Sequence, residues 1–231
     1  MKEPPMSRPV IVITGGHGAL GSAVAKAAGE AGWTVAVIDH ARQETQGADM
    51  TLSGVDLTEP GQAQQAIQAV AEQLGRIDAL LNIAGGFVWQ TTEDGDPAAW
   101  GRMYALNVTT ALNASRAALP MLKQATDGRI VNVGAAGAQK AAAGMGAYAA
   151  SKAGVHRLTE SLAEELKETS VTVNAVLPSI IDTPANRADM GEANADKWVK
   201  TADLAAVMLF LASPAARAIT GAFPSPAGSE P

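Results

Sequence analysis

The sequence of 231 residues contains no cysteine, few aromatic residues (4%) and no long apolar run. The absence of cysteine excludes disulfide scaffolds, thiol nucleophiles and zinc–thiolate sites. No stretch reaches the ~18 apolar residues expected of a membrane-spanning helix. The formal net charge of -6 argues against a nucleic-acid partner, because no basic patch can contact phosphates. The histidines at 17, 40 and 156 share no ligand spacing with carboxylates, so no metal site is expected.

Apolar residues suited to a buried core are abundant instead. Hydrophobic residues make up 47% of the chain and charged residues 17%, a composition that excludes intrinsic disorder. The length suits one domain, and no Ser/Pro-rich linker divides it. We therefore expect a single domain over residues 1–231, in which residues 1–8 form a flexible leader. The start of the chain lacks the apolar segment of a secretory signal, which favours a cytoplasmic protein.

Apolar β-branched runs alternate with helix-like segments along the chain. Val10–Ile13 is typical of a strand buried on both faces of a parallel sheet, and Ala19–Ala31 has the pattern of a helix that ends at Gly32. Further strands are predicted at residues 34–38, 54–57, 79–83, 129–133, 171–176 and 218–223, and further helices at 61–74, 97–123, 147–167 and 203–211. The alternation predicts an α/β fold, a Rossmann-type doubly wound parallel sheet of about seven strands with helices on both faces.

Three glycines, Gly15, Gly18 and Gly21, lie between the first predicted strand and the first predicted helix. Such glycines let the backbone turn tightly and approach a pyrophosphate, while the N-terminus of the following helix attracts phosphate oxygens. A glycine triplet alone also fits an ordinary flexible turn. Its position directly after a buried strand and before a helix favours dinucleotide binding.

Two carboxylates follow the next predicted strands. Asp39 ends the second strand, near the usual spacing of about 20 residues beyond the glycine loop, and can accept both ribose hydroxyls of NAD there. Its charge would repel the 2′-phosphate of NADP, which only His17 and Arg42 could attract nearby. Asp56 ends the third strand and can meet the adenine amino group. Each aspartate also fits a simple strand-end or turn role, but together they predict NAD as the cofactor.

Tyr148 and Lys152 are four residues apart in the helix predicted at 147–167, which puts them on one face of that helix. A phenol with its usual pKa of about 10 is a poor acid–base catalyst at neutral pH. An adjacent ammonium and a positively charged nicotinamide favour the phenolate and lower that pKa. We expect Tyr148 to give a proton to a substrate that accepts hydride, or to take one in the reverse reaction. A surface pair packed over apolar residues is the alternative, which the upstream glycine loop disfavours.

Over nearly its whole length the chain resembles the short-chain dehydrogenase/reductases. The resemblance rests on the glycine loop, Asp39, Asp56, Asn82–Gly85, Asn107, the Tyr148/Lys152 pair and Pro178–Thr183. It implies catalytic roles for Tyr148, Lys152 and Asn107, with Asn107 holding the water that links Lys152 to a proton relay. Without the family, Asn107 would be a helix-interior side chain bonded to neighbouring backbone.

The resemblance also implies which residues bind NAD. Asn82, Ala84 and Gly85 would line its adenosine side, and Pro178, Ile181 and Thr183 would cradle the nicotinamide. The full set is Gly15, His17, Gly18, Ala19, Leu20, Gly21, Asp39, Asp56, Leu57, Asn82, Ala84, Gly85, Tyr148, Lys152, Pro178, Ile181 and Thr183.

The chain departs from the family pattern twice. Ala19 stands where the family has a glycine, and the glycine is at 18 instead. Ala135 stands where the family has a serine that donates a hydrogen bond to the substrate carbonyl. Losing one such preorganised donor costs on the order of 10²–10³ in the rate of a carbonyl reaction. One branch of the family, the dihydropteridine reductases, is similar in both departures and in Gly144–Met145 and Asp182–Arg187, and its quinonoid substrate is already electrophilic.

These features predict an NAD(H)-dependent oxidoreductase that transfers hydride between nicotinamide and a small carbonyl or alcohol. Quinonoid dihydropteridine reduction is one alternative, and a catalytically weak nucleotide-binding scaffold or sensor is another. Phe87–Gln90 should help line the substrate pocket.

The apolar stripes of Trp100–Leu122 and Val155–Leu166 exceed what one sheet face requires, and the resemblance implies a homodimer or homotetramer through these two long helices. An intramolecular buried face is the alternative.

Overall fold

The centre of the computed structural model, which describes residues 8–43, 45 and 47–228, is a parallel sheet. Its strands are β1 (Val10–Thr14), β2 (Thr34–Asp39), β3 (Met50–Ser53), β4 (Ala79–Asn82), β5 (Arg129–Val133) and β6 (Thr172–Val176). Their order across the sheet is β3-β2-β1-β4-β5-β6, and all are parallel. The chain adds β2 and β3 on one side of β1 and then β4, β5 and β6 on the other, so the direction of winding reverses between β1 and β4. Such a reversal opens a crevice at the carboxyl ends of the two strands, where open α/β sheets bind ligands. The predicted doubly wound sheet is confirmed.

Helices cover both faces of the sheet. They are α1 (Ala19–Glu30), α2 (Pro60–Leu74), α3 (Ala98–Tyr104), α4 (Thr110–Leu122), α5 (Gly146–Glu165), α6 (Pro184–Met190) and α7 (Thr201–Ala212). Successive strand residues point to opposite faces, so Val10 and Val12 pack toward α2, α4 and α5, whereas Ile11 and Ile13 pack toward α1 and α7. Burial on both faces explains the uninterrupted apolar run in β1. None of the helices in the described part of the chain has the length and apolarity needed to cross a membrane.

The helix predicted over 97–123 is not one regular α-helix. Between α3 and α4 the residues 105–109 form a π-helical turn, and Asn107 is buried inside it. Single π turns are frequent at functional sites. The helical spacing of apolar residues does not reveal this turn, because the segments on both sides of it are also helical.

Two predicted strands differ from the structure. The third strand ends at Ser53 instead of starting at Gly54, whose φ of +74° interrupts the extended backbone. No strand is assigned at 218–223, although residues 221–226 run beside β6 and accept hydrogen bonds from Ala175, Leu177 and Ser179. The Gly221 N–H donates back to the Val173 carbonyl of β6, but residues 224 and 226 are prolines and have no N–H group to donate. Within the described part of the chain the main sheet has six strands, compared with the predicted number of about seven.

A second, two-stranded sheet lies next to α6. It pairs β7 (Ile181–Asp182) with β8 (Val199–Lys200), and α6 begins directly after β7. At the other end of the chain, Arg8 donates a hydrogen bond of 3.1 Å to the carbonyl of Gly32. Residues 1–7 of the predicted leader lie outside the described residues.

Candidate active site

A cleft with a volume of ≈ 1570 Å³ runs across the carboxyl ends of the strands. It begins at the glycine loop after β1, passes the ends of β2 and β4, and continues to α5 and α6. The predicted site residues on its wall are Gly15, Gly18, Ala19, Leu20, Gly21, Asp39, Asp56, Leu57, Ala84, Gly85, Tyr148, Lys152, Pro178, Ile181 and Thr183. The remaining three lie behind this wall: His17 contacts Asp39 and Asn107 contacts Gly86 on the wall, whereas Asn82 is buried among other residues.

The glycine loop is shaped by close backbone packing. Gly15 has a φ of +70°, and a Cβ there would fall 2.8 Å from the Cα of Ala84. A Cβ on Gly21 would fall 2.1 Å from the Gly15 carbonyl oxygen. Gly18 differs, because a Cβ there meets only that same oxygen at 3.5 Å, an ordinary contact. Packing therefore requires glycine at 15 and 21, whereas at 18 the protein itself leaves room for a side chain.

The N-terminus of α1 opens toward this loop. Gly18 is its N-cap residue, and no side chain caps the first turn. The first N–H groups of a helix have no intrahelical partner, and together with the helix dipole they attract phosphate oxygens. The loop thus has both the close backbone approach and the donors that a pyrophosphate requires.

Thr14 fixes the position of the glycine loop relative to β4. Its buried hydroxyl oxygen accepts hydrogen bonds from the N–H groups of Ile83 (3.1 Å) and Ala84 (3.2 Å). The bonds tie the ends of β1 and β4 together at the crevice. Sequence reasoning missed this role, because a threonine at the end of a strand is common.

Asp39 lies at the end of β2 on the cleft wall. Its carboxylate accepts hydrogen bonds from the N–H groups of His17 (3.0 Å) and Ala41 (2.9 Å). The His17 ring is nearly buried, with Nδ1 3.5 Å from the Asp39 carboxylate but not in hydrogen-bonding geometry. Each carboxylate oxygen can accept further bonds, so Asp39 remains able to receive hydroxyl donors from the cleft.

Asp56 has the turn role, and its contact with an adenine amino group remains a prediction. It lines the cleft, and its Oδ1 accepts hydrogen bonds from the N–H (2.9 Å) and hydroxyl (2.7 Å) of Thr58. These bonds stabilise the charged form and lower the pKa of Asp56. Asp56 therefore begins a turn and also presents a carboxylate to the same end of the cleft as Asp39.

Tyr148 and Lys152 share one face of α5 and both line the cleft. The Lys152 ammonium donates a hydrogen bond of 2.7 Å to the Val133 carbonyl and lies 6.0 Å from the centre of the Tyr148 ring. Burial lowers the pKa of Lys152 to about 8 and raises the pKa of Tyr148 to about 12. The ammonium alone therefore does not provide the lowered phenol pKa expected from the Tyr–Lys spacing. A positive charge on a bound cofactor would act in the required direction.

Asn107 connects the π turn to the loop after β4 and to α5. Its side chain accepts a hydrogen bond from the Gly86 N–H (3.0 Å) and donates to the Gly86 carbonyl (3.0 Å) and the Ser151 hydroxyl (2.9 Å). Ser151 in turn donates to the Tyr148 carbonyl (2.7 Å). A Cβ on Gly85 would lie 2.4 Å from Asn107 Oδ1, so glycine is required there. Asn107 thus positions the loop after β4, and Ser151 is a link that sequence reasoning missed.

Asn82 belongs to a buried polar chain between strands and helices. Its amide group donates to Ser115 (3.0 Å) and Asn132 (2.8 Å), and Asn132 donates to Thr159 (2.8 Å). The chain joins β4 and β5 to α4 and α5. The Asn82 side chain therefore serves the packing behind the cleft, and its predicted contact with the adenosine side of a cofactor remains a prediction.

Ala135, at the position of the family serine, lies above His156. The Ala135 N–H points to His156 Nε2 at 3.4 Å, and a Cβ on Gly134 would lie 2.5 Å from that nitrogen. Burial, followed by the nearby charges of Arg157 and Lys152, lowers the pKa of His156. A neutral imidazole can accept a hydrogen bond from the Ala135 N–H. His156 therefore supports the loop at the position where the family has its serine donor.

Ion pairs hold α6, which lines the cleft, against the second, two-stranded sheet. Arg187 forms a two-point contact with Asp182 (2.6 and 2.8 Å), and Lys200 on β8 approaches the same carboxylate at 2.8 Å. The hydrogen bonds from both cations hold the pKa of Asp182 well below its usual range. Thr183 caps the helix through the Asn186 N–H (3.1 Å). This arrangement fixes Thr183 and the predicted nicotinamide-binding segment.

The sequence and the fold have close counterparts among known proteins. The sequence profile of the family described as short chain dehydrogenase matches residues 9–194. The 2-(S)-hydroxypropyl-CoM dehydrogenase 3 of Xanthobacter autotrophicus is 33% identical, covering 92% of each chain. The D-beta-hydroxybutyrate dehydrogenase of Cupriavidus necator is 30% identical, covering 91% of this chain and 93% of that one. The crystal structure of 3-ketoacyl-(acyl-carrier-protein) reductase from Brucella melitensis complexed with NADH is 26% identical, with a TM-score of 0.87 over 96% of this chain and 97% of that one. The chain therefore belongs to the short chain dehydrogenase family of oxidoreductases.

Proposed function

We propose that this protein is an NAD(H)-dependent oxidoreductase that transfers hydride between nicotinamide C4 and a small carbonyl or alcohol, with Tyr148 as acid/base. The observation that carries the proposal is a single cleft that joins the glycine loop at one end to Tyr148 and Lys152 at the other. The similar protein from Brucella melitensis is crystallised with NADH, which supports a nicotinamide cofactor.

The residues present fit such a cofactor. The atoms nearest to Gly15 all belong to the backbone. The first turn of α1, which no side chain caps, offers donors for the pyrophosphate. Asp39 would accept the ribose hydroxyls, which favours NAD over NADP because a 2′-phosphate would meet a carboxylate. Lys152 would hold the nicotinamide ribose, and Thr183 the carboxamide.

The protein's own chemistry is then the handling of one proton. When bound, the dihydronicotinamide supplies the hydride. The Tyr148 hydroxyl gives its proton to the substrate oxygen, and the Lys152 ammonium stabilises the phenolate that remains. Asn107 holds Gly86 and, through Ser151, the first turn of α5, so it acts as a positioning residue; its role in holding a relay water remains a prediction.

A specific observation favours the second candidate, quinonoid dihydropteridine reduction. Ala135 offers no hydroxyl to a substrate carbonyl, and its N–H is directed to His156. A strongly electrophilic substrate needs no such donor. The same absence would suit a weakly catalytic nucleotide-binding scaffold or sensor, which the retained Tyr148 and Lys152 disfavour.

One experiment tests the proposal. Oxidation of NADH at 340 nm is followed with a panel of ketones, aldehydes and quinonoid dihydropterin, for the wild type and Tyr148→Phe. We expect Tyr148→Phe to lose at least 100-fold in kcat while it binds NADH with unchanged affinity in a fluorescence titration. Unchanged turnover in Tyr148→Phe would refute the acid/base role. Binding of NADH without turnover of any substrate would favour the sensor.

We also propose a homodimer or homotetramer, formed mainly through the α3–α4 face. Trp100, Tyr104, Leu106 and Leu112 remain exposed there, whereas the second stripe is used within the chain, where Val155, Leu162 and Leu166 are buried. Exposed apolar patches of this kind mark interaction surfaces. Light scattering of the purified protein should give a multiple of 23.5 kDa, and Leu112→Glu should lower it. The cytoplasmic location stays a prediction of the sequence.

A further inference from the structure

The substrate end of the cleft carries two aromatic side chains whose surfaces are left open. Phe87 is 54% exposed and Trp89 is 60% exposed, and both line the cleft on the loop after β4. Only 4% of the residues in this sequence are aromatic, so two exposed rings beside a proposed catalytic residue are a marked concentration. Burial of such ring faces by a ligand is favourable.

Both rings are held in place. The Phe87 ring meets the Tyr148 ring edge-on, with 5.0 Å between the ring centres and 75° between the planes. The Trp89 indole donates a hydrogen bond of 3.1 Å to the Ala143 carbonyl, and the next N–H, of Gln90, donates to the Gly144 carbonyl at 2.9 Å. These contacts hold Phe87 against the phenol ring and Trp89 against residues 143 and 144, so both rings are preformed parts of the cleft wall.

Gly144 creates the space that Trp89 occupies. It has a φ of +75°, and a Cβ there would lie 2.2 Å from the indole ring. Any side chain at 144 would push the indole away from the loop. The chain therefore combines a glycine and a tryptophan to build this part of the wall.

Few cations of the described residues lie where they could neutralise a charged substrate at this end of the cleft. Among the described residues that line the cleft, the basic side chains are Lys152 and His40. Lys152 is bonded to Val133, and His40 follows Asp39 at the opposite end. Arg187 is close in sequence to the α6 residues that line the cleft, but its guanidinium is paired with Asp182. Besides Lys152, the charged residue that lines this end is acidic, Asp189 on α6, while Lys197 lines a smaller pocket that shares Ser179, Ile180 and Met190 with the cleft.

We propose that the substrate is an uncharged molecule with a flat aromatic or conjugated ring, which stacks on Phe87 and Trp89 while its carbonyl reaches Tyr148. This inference rests on the proposed function, because it names the substrate class of that site. A carboxylate, sulfonate or phosphate on the substrate would lose its hydration and meet the acidic side chain of Asp189, while the Lys152 ammonium is already bonded to Val133. A saturated ring would fill the same volume but present no flat face to the two aromatic side chains.

Two pairs of ketones test ring shape and charge separately, with NADH oxidation as the measurement. Acetophenone should exceed cyclohexyl methyl ketone at least 10-fold in kcat/KM, although conjugation makes its carbonyl less electrophilic. Methyl 4-acetylbenzoate should exceed 4-acetylbenzoate at least 10-fold, because the two differ in the negative charge at the far end. Equal efficiency within either pair would overturn the inference while leaving the proposed function intact.

Variants test whether the residues of the cleft wall cause these preferences for ring shape and charge. Phe87→Leu should reduce the acetophenone preference about 3- to 10-fold, whereas Phe210→Leu, a matched change at an exposed residue on α7, should leave it unchanged. Met190→Arg should place a cation at the exposed cleft end and narrow the gap between 4-acetylbenzoate and its methyl ester. An unchanged gap in Met190→Arg, or equal effects of the two leucine variants, would contradict the assignment.

A binding measurement separates this inference from the proposed function. Acetophenone and cyclohexyl methyl ketone are titrated calorimetrically into the NAD⁺-saturated protein, so no turnover is required. If no carbonyl compound oxidises NADH, the proposed function fails, while tighter binding of acetophenone still supports the aromatic wall. Equal affinity for the two ketones would refute it.

Discussion

The glycine loop allows a prediction that separates the needs of the fold from the needs of a cofactor. Gly18→Ala and Gly21→Ala make the same chemical change three residues apart. At 21 the new Cβ would fall 2.1 Å from the Gly15 carbonyl oxygen, which belongs to the backbone and cannot rotate away. At 18 it would meet that oxygen at 3.5 Å, and the φ of -69° there suits alanine. Only the first substitution conflicts with the protein itself.

The expected energies follow from these distances. Overpacking costs ~1–3 kcal/mol, and a backbone neighbour puts Gly21→Ala near the upper value. At about 2–4 °C per kcal/mol for a chain of this size, its melting temperature should fall by roughly 6–12 °C. Gly18→Ala should cost less than ~1 kcal/mol, the usual difference between these residues at a helix N-cap. It should nevertheless raise the NADH dissociation constant at least 10-fold, which corresponds to about 1.4 kcal/mol.

Thermal unfolding and NADH fluorescence titration of the two variants test this reasoning. Gly18→Ala should be stable and bind NADH poorly, whereas Gly21→Ala should be destabilised. Wild-type affinity for NADH in Gly18→Ala would show that no phosphate approaches that Cα. Wild-type stability in Gly21→Ala would show that the loop packs differently from the geometry described above.

Three further predictions concern the chemistry of the cleft. Asp39→Ala should bring the NAD and NADP dissociation constants within about 3-fold of each other and cost ~1–2 kcal/mol of stability from the lost bonds to His17 and Ala41; an unchanged NAD preference would transfer the selectivity to another group. Ala135→Ser should raise kcat/KM for unactivated ketones by on the order of 10-fold or more and change dihydropterin turnover little, and equal gains for both would contradict the account of the missing donor. Because burial lowers the pKa of Lys152 to about 8, ketone reduction should decline above that pH, and Lys152→Arg should extend the profile upward. The sign for stability is opposite: the folded protein releases this proton before the unfolded chain does, so the free energy of unfolding should rise between pH 8 and 10.5 in the wild type but not in Lys152→Met.

The sequence predicts the framework of the site well because its requirements are local. A β-branched run, a glycine triplet and a helix must follow one another for a parallel strand to lead into a phosphate-binding turn, and all three are visible between Val10 and Glu30. The spacing of Tyr148 and Lys152 likewise needs only a helix. These features alone predict the glycine loop and the Tyr148–Lys152 pair that line the cleft, without any knowledge of distant contacts.

What the sequence could not reveal depends on residues that meet only after folding. The bonds from Asn107 to Gly86 and Ser151 join three segments, and the π turn that contains Asn107 has no periodicity of its own. The opposite shifts in pKa at Tyr148 and Lys152 come from burial, which their spacing does not disclose. The sequence predicts a seventh strand at 218–223, whereas the prolines at 224 and 226, just beyond those residues, have no N–H group to donate to β6.

The two ends of the cleft are built on different principles, and this explains why the cofactor is easier to infer than the substrate. Backbone geometry shapes the cofactor end, where Gly15 and Gly21 leave no alternative residue and Thr14 ties two strands together. Side chains on loops shape the substrate end, where Phe87 and Trp89 could be exchanged without disturbing the sheet. A fold of this kind can keep one cofactor and change substrates by altering a few exposed positions. Substrate specificity in this chain should therefore follow the residues of the 87–90 loop and α6 rather than the identity of its relatives.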